Sequence, residues 1–134
     1  MRYILLMSHG HLASGMKHTV EMIAGKAENL ISFDAYVDGN DNVKKFFENF
    51  MADHSNDEII VVTDVLGGSV NNEILNYNGM DQVSIISGMN VALVLNLLLI
   101  QDEEIKKVIQ DSVGESRETI QYFEKIELDL EEDF

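Results

Sequence analysis

Glu58-Ile59-Ile60-Val61-Val62-Thr63-Asp64-Val65 (E-I-I-V-V-T-D-V) is the stretch on which the fold turns. Its four consecutive β-branched aliphatics leave no polar face. A strand with one wet face alternates, whereas a central parallel strand is covered by helices on both faces and reads as an unbroken apolar run. The run closes on Thr63-Asp64, and Gly67-Gly68-Ser69 follows at once. A buried strand therefore hands a carboxylate to a glycine-rich turn that opens a helix.

On the amino-terminal side, residues 2–8 read as a first buried strand that ends in Ser8-His9-Gly10-His11. Leu12, Met16, Val20 and Ile23 recur at helical spacing, with Gly25 placed to stop that helix in a left-handed cap. Residues 29–33 form a weaker second strand. Val43, Phe46, Phe47, Phe50 and Met51 make the apolar face of a second helix, capped by Asn40 or Asp41. On the carboxyl-terminal side, a third helix runs from Gly67-Gly68-Ser69 to about Asn78, and residues 83–87 are a fourth strand. Asn90 starts a helix apolar nearly all round. A long helix from about Glu103 to Phe123 presents Ile105, Val108, Ile109, Val113 and Ile120 on one side, with Gly114 inside it. Ile126-Glu127-Leu128-Asp129-Leu130 alternates strictly and reads as a half-exposed edge strand. Strand alternates with helix, so an α/β fold is expected: three layers, αβα, around a mainly parallel sheet.

The length of 134 residues fits one domain, large enough to bury roughly two-thirds of its unfolded surface. There is no cysteine, hence no disulfide framework and no thiolate metal site. The amino terminus lacks the pattern of a signal peptide. The longest apolar stretch, residues 91–100, contains Asn96 and is too short to span a bilayer. A cytoplasmic protein is expected. The formal net charge of −15 argues against nucleic acid and against anionic lipid as partners. Solubility accounts for most of that charge.

In open parallel sheets, function collects at the carboxyl ends of strands. There this sequence places His9 after strand one and Asp64 after strand three. Neighbouring strands lie about 4.8 Å apart, so the two side chains are able to meet. The carboxylate would accept the proton on Nδ1 and leave Nε2 unprotonated and nucleophilic. Gly67, Gly68 and Ser69 would offer backbone N–H groups at a helix start, and Ser69 a hydroxyl, to an anion. The set suits reversible phosphoryl transfer, which needs an aligned nucleophile and donors for the equatorial oxygens.

Taken singly, each part has a structural reading: a strand-end histidine in a packing role, an aspartate capping a turn, a glycine pair where a strand bends. Their joint placement favours chemistry. His11 completes an H-x-H spacing, but the metal hydrolases that carry it after a first strand need a barrel of about 250 residues, so no metal is expected. His18 and His54 read as exposed helix residues, and Met16, Met22 and Met51 as core filler. A phospho-receiver domain has similar length and would place its acceptor on Asp64. It also needs an acidic pair after the first strand, where this chain has Ser8-His9-Gly10.

Four motifs carry a family resemblance over nearly the whole chain: S-H-G-H-L-A-S-G at 8–15, E-M-I-A-G at 21–25, V-T-D-V-L-G-G-S at 62–69 and S-G-M-N-V at 87–91. The sequence resembles the enzyme IIA component of the mannose-type (mannose–fructose–sorbose) sugar phosphotransferase system. The resemblance implies a phosphocarrier without cofactor. Its phosphorylated histidine falls on His9, which takes a phosphoryl group at Nε2 from HPr and passes it to a histidine of enzyme IIB. The supporting carboxylate falls on Asp64, and Ser69 with nearby amides holds the phosphoryl group. Membrane components IIC and IID would be engaged only indirectly. The resemblance also implies that the carboxyl-terminal edge strand runs antiparallel, and that Ile126–Leu130 is exchanged between subunits of a homodimer in some members. Leu66 stands where some members have Trp, and Val70 where some have Pro. The chain ends at Phe134 without a IIB domain, so a free-standing subunit is expected. A related domain serves as the phosphotransfer subunit of a dihydroxyacetone kinase and delivers its phosphoryl group to ADP; the G-H-L-A-S-G run favours the sugar branch.

Overall fold

The computed structural model describes residues 1–125. Four strands, β1 (Arg2–His9), β2 (Leu30–Ala35), β3 (Glu58–Thr63) and β4 (Val83–Ser87), form one sheet in the order β2-β1-β3-β4. All three strand pairings are parallel. Five helices connect and cover them: α1 (Leu12–Ala24), α2 (Val43–Asp53), α3 (Ser69–Leu75), α4 (Val91–Leu99) and α5 (Ile105–Arg117). The edge strand expected at 126–130, with its antiparallel direction, lies outside the described residues.

Alternation along each strand sends successive side chains to opposite faces. Leu5, Met7, Ile59 and Val61 pack under α2 and α3 with Phe33, Phe47 and Ile74. Ile4, Leu6, Ile60 and Val62 pack on the other face with Val20 of α1, Leu93, Val94 and Leu97 of α4 and Val108 of α5. Both faces of β3 are therefore dry, which is why its sequence is apolar without alternation. The result is the three-layer αβα architecture.

Several boundaries differ from the sequence expectation. β2 runs on to Ala35, two residues past Phe33, and pairs with β1 as far as His9. The cap of α2 is Asn42, whose side chain accepts from the Lys45 N–H at 2.9 Å. Asn40 instead closes the preceding loop by donating to the Asp34 carbonyl at 3.1 Å. Gly25 ends α1 with φ +87° and ψ 167°, a positive φ without the left-handed helical turn. α3 stops at Leu75 and unwinds through shorter-range turns to Asn78. α5 ends at Arg117, where Thr119 Oγ1 donates to the Ser116 carbonyl at 2.7 Å; Ile120 is exposed rather than part of the helix face. Met51 is buried, but Met22 is exposed and fills no core. His54 is the residue after α2, half-buried, with its ring centroid 4.2 Å from that of Tyr3.

Candidate active site

The site grows out of three strand ends. β1 lies between β2 and β3, so the segments leaving all three meet at one edge of the sheet. His9 is the last residue of β1, and its side chain is 44% exposed. Asp64 follows the last residue of β3. Asp64 Oδ2 accepts twice from His9: from the backbone N–H at 2.9 Å and from Nδ1 at 2.8 Å. Its Oδ1 accepts from the Val65 N–H at 3.0 Å. Burial alone pushes this carboxyl up. The hydrogen bonds from His9 and Val65 outweigh it, so Asp64 titrates below the ordinary 3.8. An ionised Asp64 makes Nδ1 the donor, so the free lone pair of the neutral ring sits on Nε2.

Nε2 faces Ser69 Oγ at 3.0 Å. Ser69 opens α3 after the Gly67-Gly68 turn. Gly67 has φ +84°, where glycine is at ease. Gly68 is needed for space: a Cβ there would stand 2.8 Å from Val65 Cγ1 and 3.2 Å from His9 Cε1. The Gly68 N–H donates to the Val65 carbonyl at 3.2 Å and so closes the turn. Gly68 thus makes room for the imidazole, and its amide is not a spare anion donor as the sequence reading expected. No side chain caps α3.

The rest of the S-H-G-H-L-A-S-G motif has structural work. Buried Ser8 accepts from the Ala13 N–H at 2.7 Å and donates to the Gly10 carbonyl at 3.1 Å, which ties the first turn of α1 to the strand. Asp34, near the end of β2, takes the other motif residues. It accepts from the Ser14 hydroxyl at 2.6 Å, the Ser14 N–H at 2.9 Å and His11 Nδ1 at 3.0 Å. Thr63 Oγ1 donates to Asn71 Oδ1 at 2.7 Å, and its carbonyl accepts from the Gly88 and Met89 N–H groups, which anchors α3 and the turn after β4 to β3.

Sequence reading missed Tyr36. It follows β2 directly, its hydroxyl lies 2.8 Å from Ser69 Oγ, and its ring centroid is 5.4 Å from that of His9. Its place follows from β2 running on to Ala35, which puts Tyr36 at the same edge as His9. Among the described residues no group of three or more His, Asp or Glu side chains converges as a metal site. None of the helices described is long and apolar enough to cross a membrane.

This parallel αβα fold is the one that solved phosphotransferase-system IIA components have. The family model described as "PTS system fructose IIA component" (EIIA-man) matches residues 3–121, and the chain belongs to that family. It is accordingly a IIA component of the mannose family, a phosphotransferase part of a sugar-transport system. Solved structures agree. A putative phosphoenolpyruvate-dependent sugar phosphotransferase system permease from Klebsiella pneumoniae is 32% identical with a TM-score of 0.84, over 90% of each chain. Phosphotransferase system component EIIA from Streptococcus agalactiae is 25% identical with a TM-score of 0.79, over 91% of this chain and 97% of that one. The mannose/sorbose specific IIA subunit from Enterococcus faecalis shares the fold at 21% identity and a TM-score of 0.80, over 96% and 98%. No curated protein sequence matches the chain significantly.

Proposed function

We propose that this chain, as a single IIA domain over residues 1–134, is a cytoplasmic phosphocarrier. His9 Nε2 accepts a phosphoryl group from phosphohistidine on HPr and passes it to a histidine of enzyme IIB, which feeds sugar uptake through membrane components IIC and IID. One observation carries the reading: a solvent-facing imidazole holds Nδ1 on an ionised carboxylate at 2.8 Å and turns Nε2 to a hydroxyl at 3.0 Å.

In the forward step the Nε2 lone pair forms the new P–N bond. The P–N bond of the donor breaks, and its electron pair stays on the donor nitrogen. No proton has to leave Nε2, because none is there. The ring becomes cationic as the bond forms, and Asp64 on Nδ1 balances that charge. The Ser69 hydroxyl, 3.0 Å from Nε2, and the amides of Gly67 and Ser69 are the donors this reading assigns to the incoming oxygens, while Gly68 keeps the ring's approach clear. The similar protein from Klebsiella pneumoniae, a putative sugar phosphotransferase system permease, supports the sugar branch over the dihydroxyacetone branch. A homodimer belongs to the same reading. β4 is, with β2, an edge of the sheet among the described residues, which leaves a place for a further strand such as Ile126–Leu130.

The test is phosphorylation by enzyme I, HPr and phosphoenolpyruvate. The wild-type chain should take up an acid-labile, base-stable phosphoryl group, and His9→Ala should take up none. Equal labelling of His9→Ala, or a base-labile acyl phosphate on Asp64, overturns the assignment.

A further inference from the structure

Tyr36 stands beside this chemistry, and no bond made or broken in the transfer involves it. The residue is 45% exposed, so burial does not account for its position. Its φ is +69°, a region in which a bulky side chain is strained. The strain is held by hydrogen bonds: the Tyr36 N–H donates to the Asn40 carbonyl at 2.9 Å, and Asn40 Nδ2 donates to the Asp34 carbonyl at 3.1 Å. A position suited to glycine thus carries an aromatic side chain whose hydroxyl reaches 2.8 Å from Ser69 Oγ.

The four groups Asp64, His9, Ser69 and Tyr36 form one hydrogen-bonded chain, and its proton directions follow from one end. Ionised Asp64 carries no proton, so Nδ1 donates to it. In the neutral ring Nε2 then holds a lone pair, so Ser69 donates to Nε2. A serine hydroxyl has one proton, which is now used. The contact between Tyr36 and Ser69 is therefore Tyr36 donating.

We propose that Tyr36 is a positioning residue for phosphoryl transfer. Its phenol proton occupies the Ser69 oxygen and turns the Ser69 proton onto Nε2, which holds His9 in the Nδ1–H tautomer. When the Nε2 lone pair enters the P–N bond, the Ser69 proton rotates to a phosphoryl oxygen while Tyr36 stays bonded behind it. No proton changes owner. This second half rests on the phosphocarrier reading; the first half concerns the resting protein alone.

The experiment reads both halves on the full chain. Tyr36→Phe keeps the ring and removes one O–H. Nitrogen-15 NMR of the histidine rings in the unphosphorylated protein should show the Nε2–H tautomer of His9 rising in Tyr36→Phe, and rising at least as far in Ser69→Ala. Transfer from phospho-HPr should slow roughly 3- to 10-fold in Tyr36→Phe, the worth of one neutral hydrogen bond, with the label still on His9. Adding Tyr36→Phe to Ser69→Ala should change the rate by less than about 2-fold, since the tyrosine acts through the serine. The proposal is overturned by an unchanged tautomer in Tyr36→Phe, by a smaller shift in Ser69→Ala than in Tyr36→Phe, or by the full loss recurring in the Ser69→Ala background. If wild-type His9 takes no label at all, the phosphocarrier reading fails, and the tautomer measurement still decides the Tyr36 linkage.

Discussion

Two imidazoles stand two residues apart where β1 passes into α1, and each rests Nδ1 on an aspartate at the end of a neighbouring strand. His9 meets Asp64 at 2.8 Å and His11 meets Asp34 at 3.0 Å. The pairs look alike, yet their surroundings differ. Around His9, the remaining hydrogen bonds of Asp64 fix the ring's own backbone and the following turn, and Nε2 faces Ser69. Around His11, Asp34 also binds the N–H and hydroxyl of Ser14 and so fastens the start of α1 to β2. The histidine–aspartate contact alone decides nothing. What the second ring nitrogen and the second carboxylate oxygen touch separates the proposed nucleophile from a clamp.

The sharpest way to break this contrast is Asp64→Asn. An amide has one accepting oxygen. Turned toward His9, it presents its NH2 to the Val65 N–H; turned away, it presents NH2 to both His9 donors. Either way the negative charge beside Nδ1 is lost just as the ring gains positive charge. Phosphoryl transfer should slow by roughly 10- to 100-fold, the worth of a hydrogen bond to a charged group. Stopped-flow or quench measurement in both directions checks it, and rates within a factor of about two of wild type would remove Asp64 from the mechanism.

Gly68→Ala sharpens the same contrast by moving the ring without touching its charge partner. The backbone φ of −70° accepts alanine, so the fold should hold. The new Cβ would press on Val65 Cγ1 and on His9 Cε1, and the imidazole has to give by a few tenths of an ångström. Displacement of a reacting atom by about 1 Å costs up to about 100-fold, so a loss on the order of 10-fold is expected here, with the melting temperature little changed. A wild-type rate would mean that Val65 alone absorbs the methyl.

Much of this site was legible in the sequence. A parallel sheet must bring strand ends together at one edge, so His9, Asp64 and Ser69 converge once E-I-I-V-V-T and Y-I-L-L-M are read as buried strands. Tyr36 was not legible, because the strand Leu30–Ala35 includes Ser32 and Asp34 and its end is blurred by polar residues. The cap of α2 was also hidden: D-G-N-D-N offers several capping side chains, and only the loop's path selects Asn42. α5 was read too long for the opposite reason. Apolar residues such as Ile120, Tyr122 and Phe123 continue past Arg117 in the sequence, although all three are exposed. Local pattern shows where burial is available; it does not show which tertiary surface is there to receive it.

The His11 clamp should yield the smallest effect on transfer and a distinct effect on stability. Asp34→Ala removes three hydrogen bonds at the start of α1 and should cost about 1–2 kcal/mol of stability, with transfer reduced by less than about 3-fold. His11→Ala should act in a pH-dependent way. The hydrogen bond to Asp34 raises the His11 pKa above 6.5; burial pulls against it, and the charges of Asp38 and Asp34 add to the rise. Burial pushes Asp34 up, but the Ser14 and His11 hydrogen bonds together hold it below 3.8. The histidine's contribution is therefore complete below 6.5 and fades as pH rises through its elevated folded value; the aspartate's is complete above 3.8 and fades as pH falls through its depressed one. The stability gap between wild type and His11→Ala should thus be wider near pH 5.5 than near pH 9. Denaturant unfolding at the two values reads it directly. A gap that is equal at both would mean that the imidazole only fills space above Asp34, and the likeness between the two pairs would then be one of geometry without electrostatics.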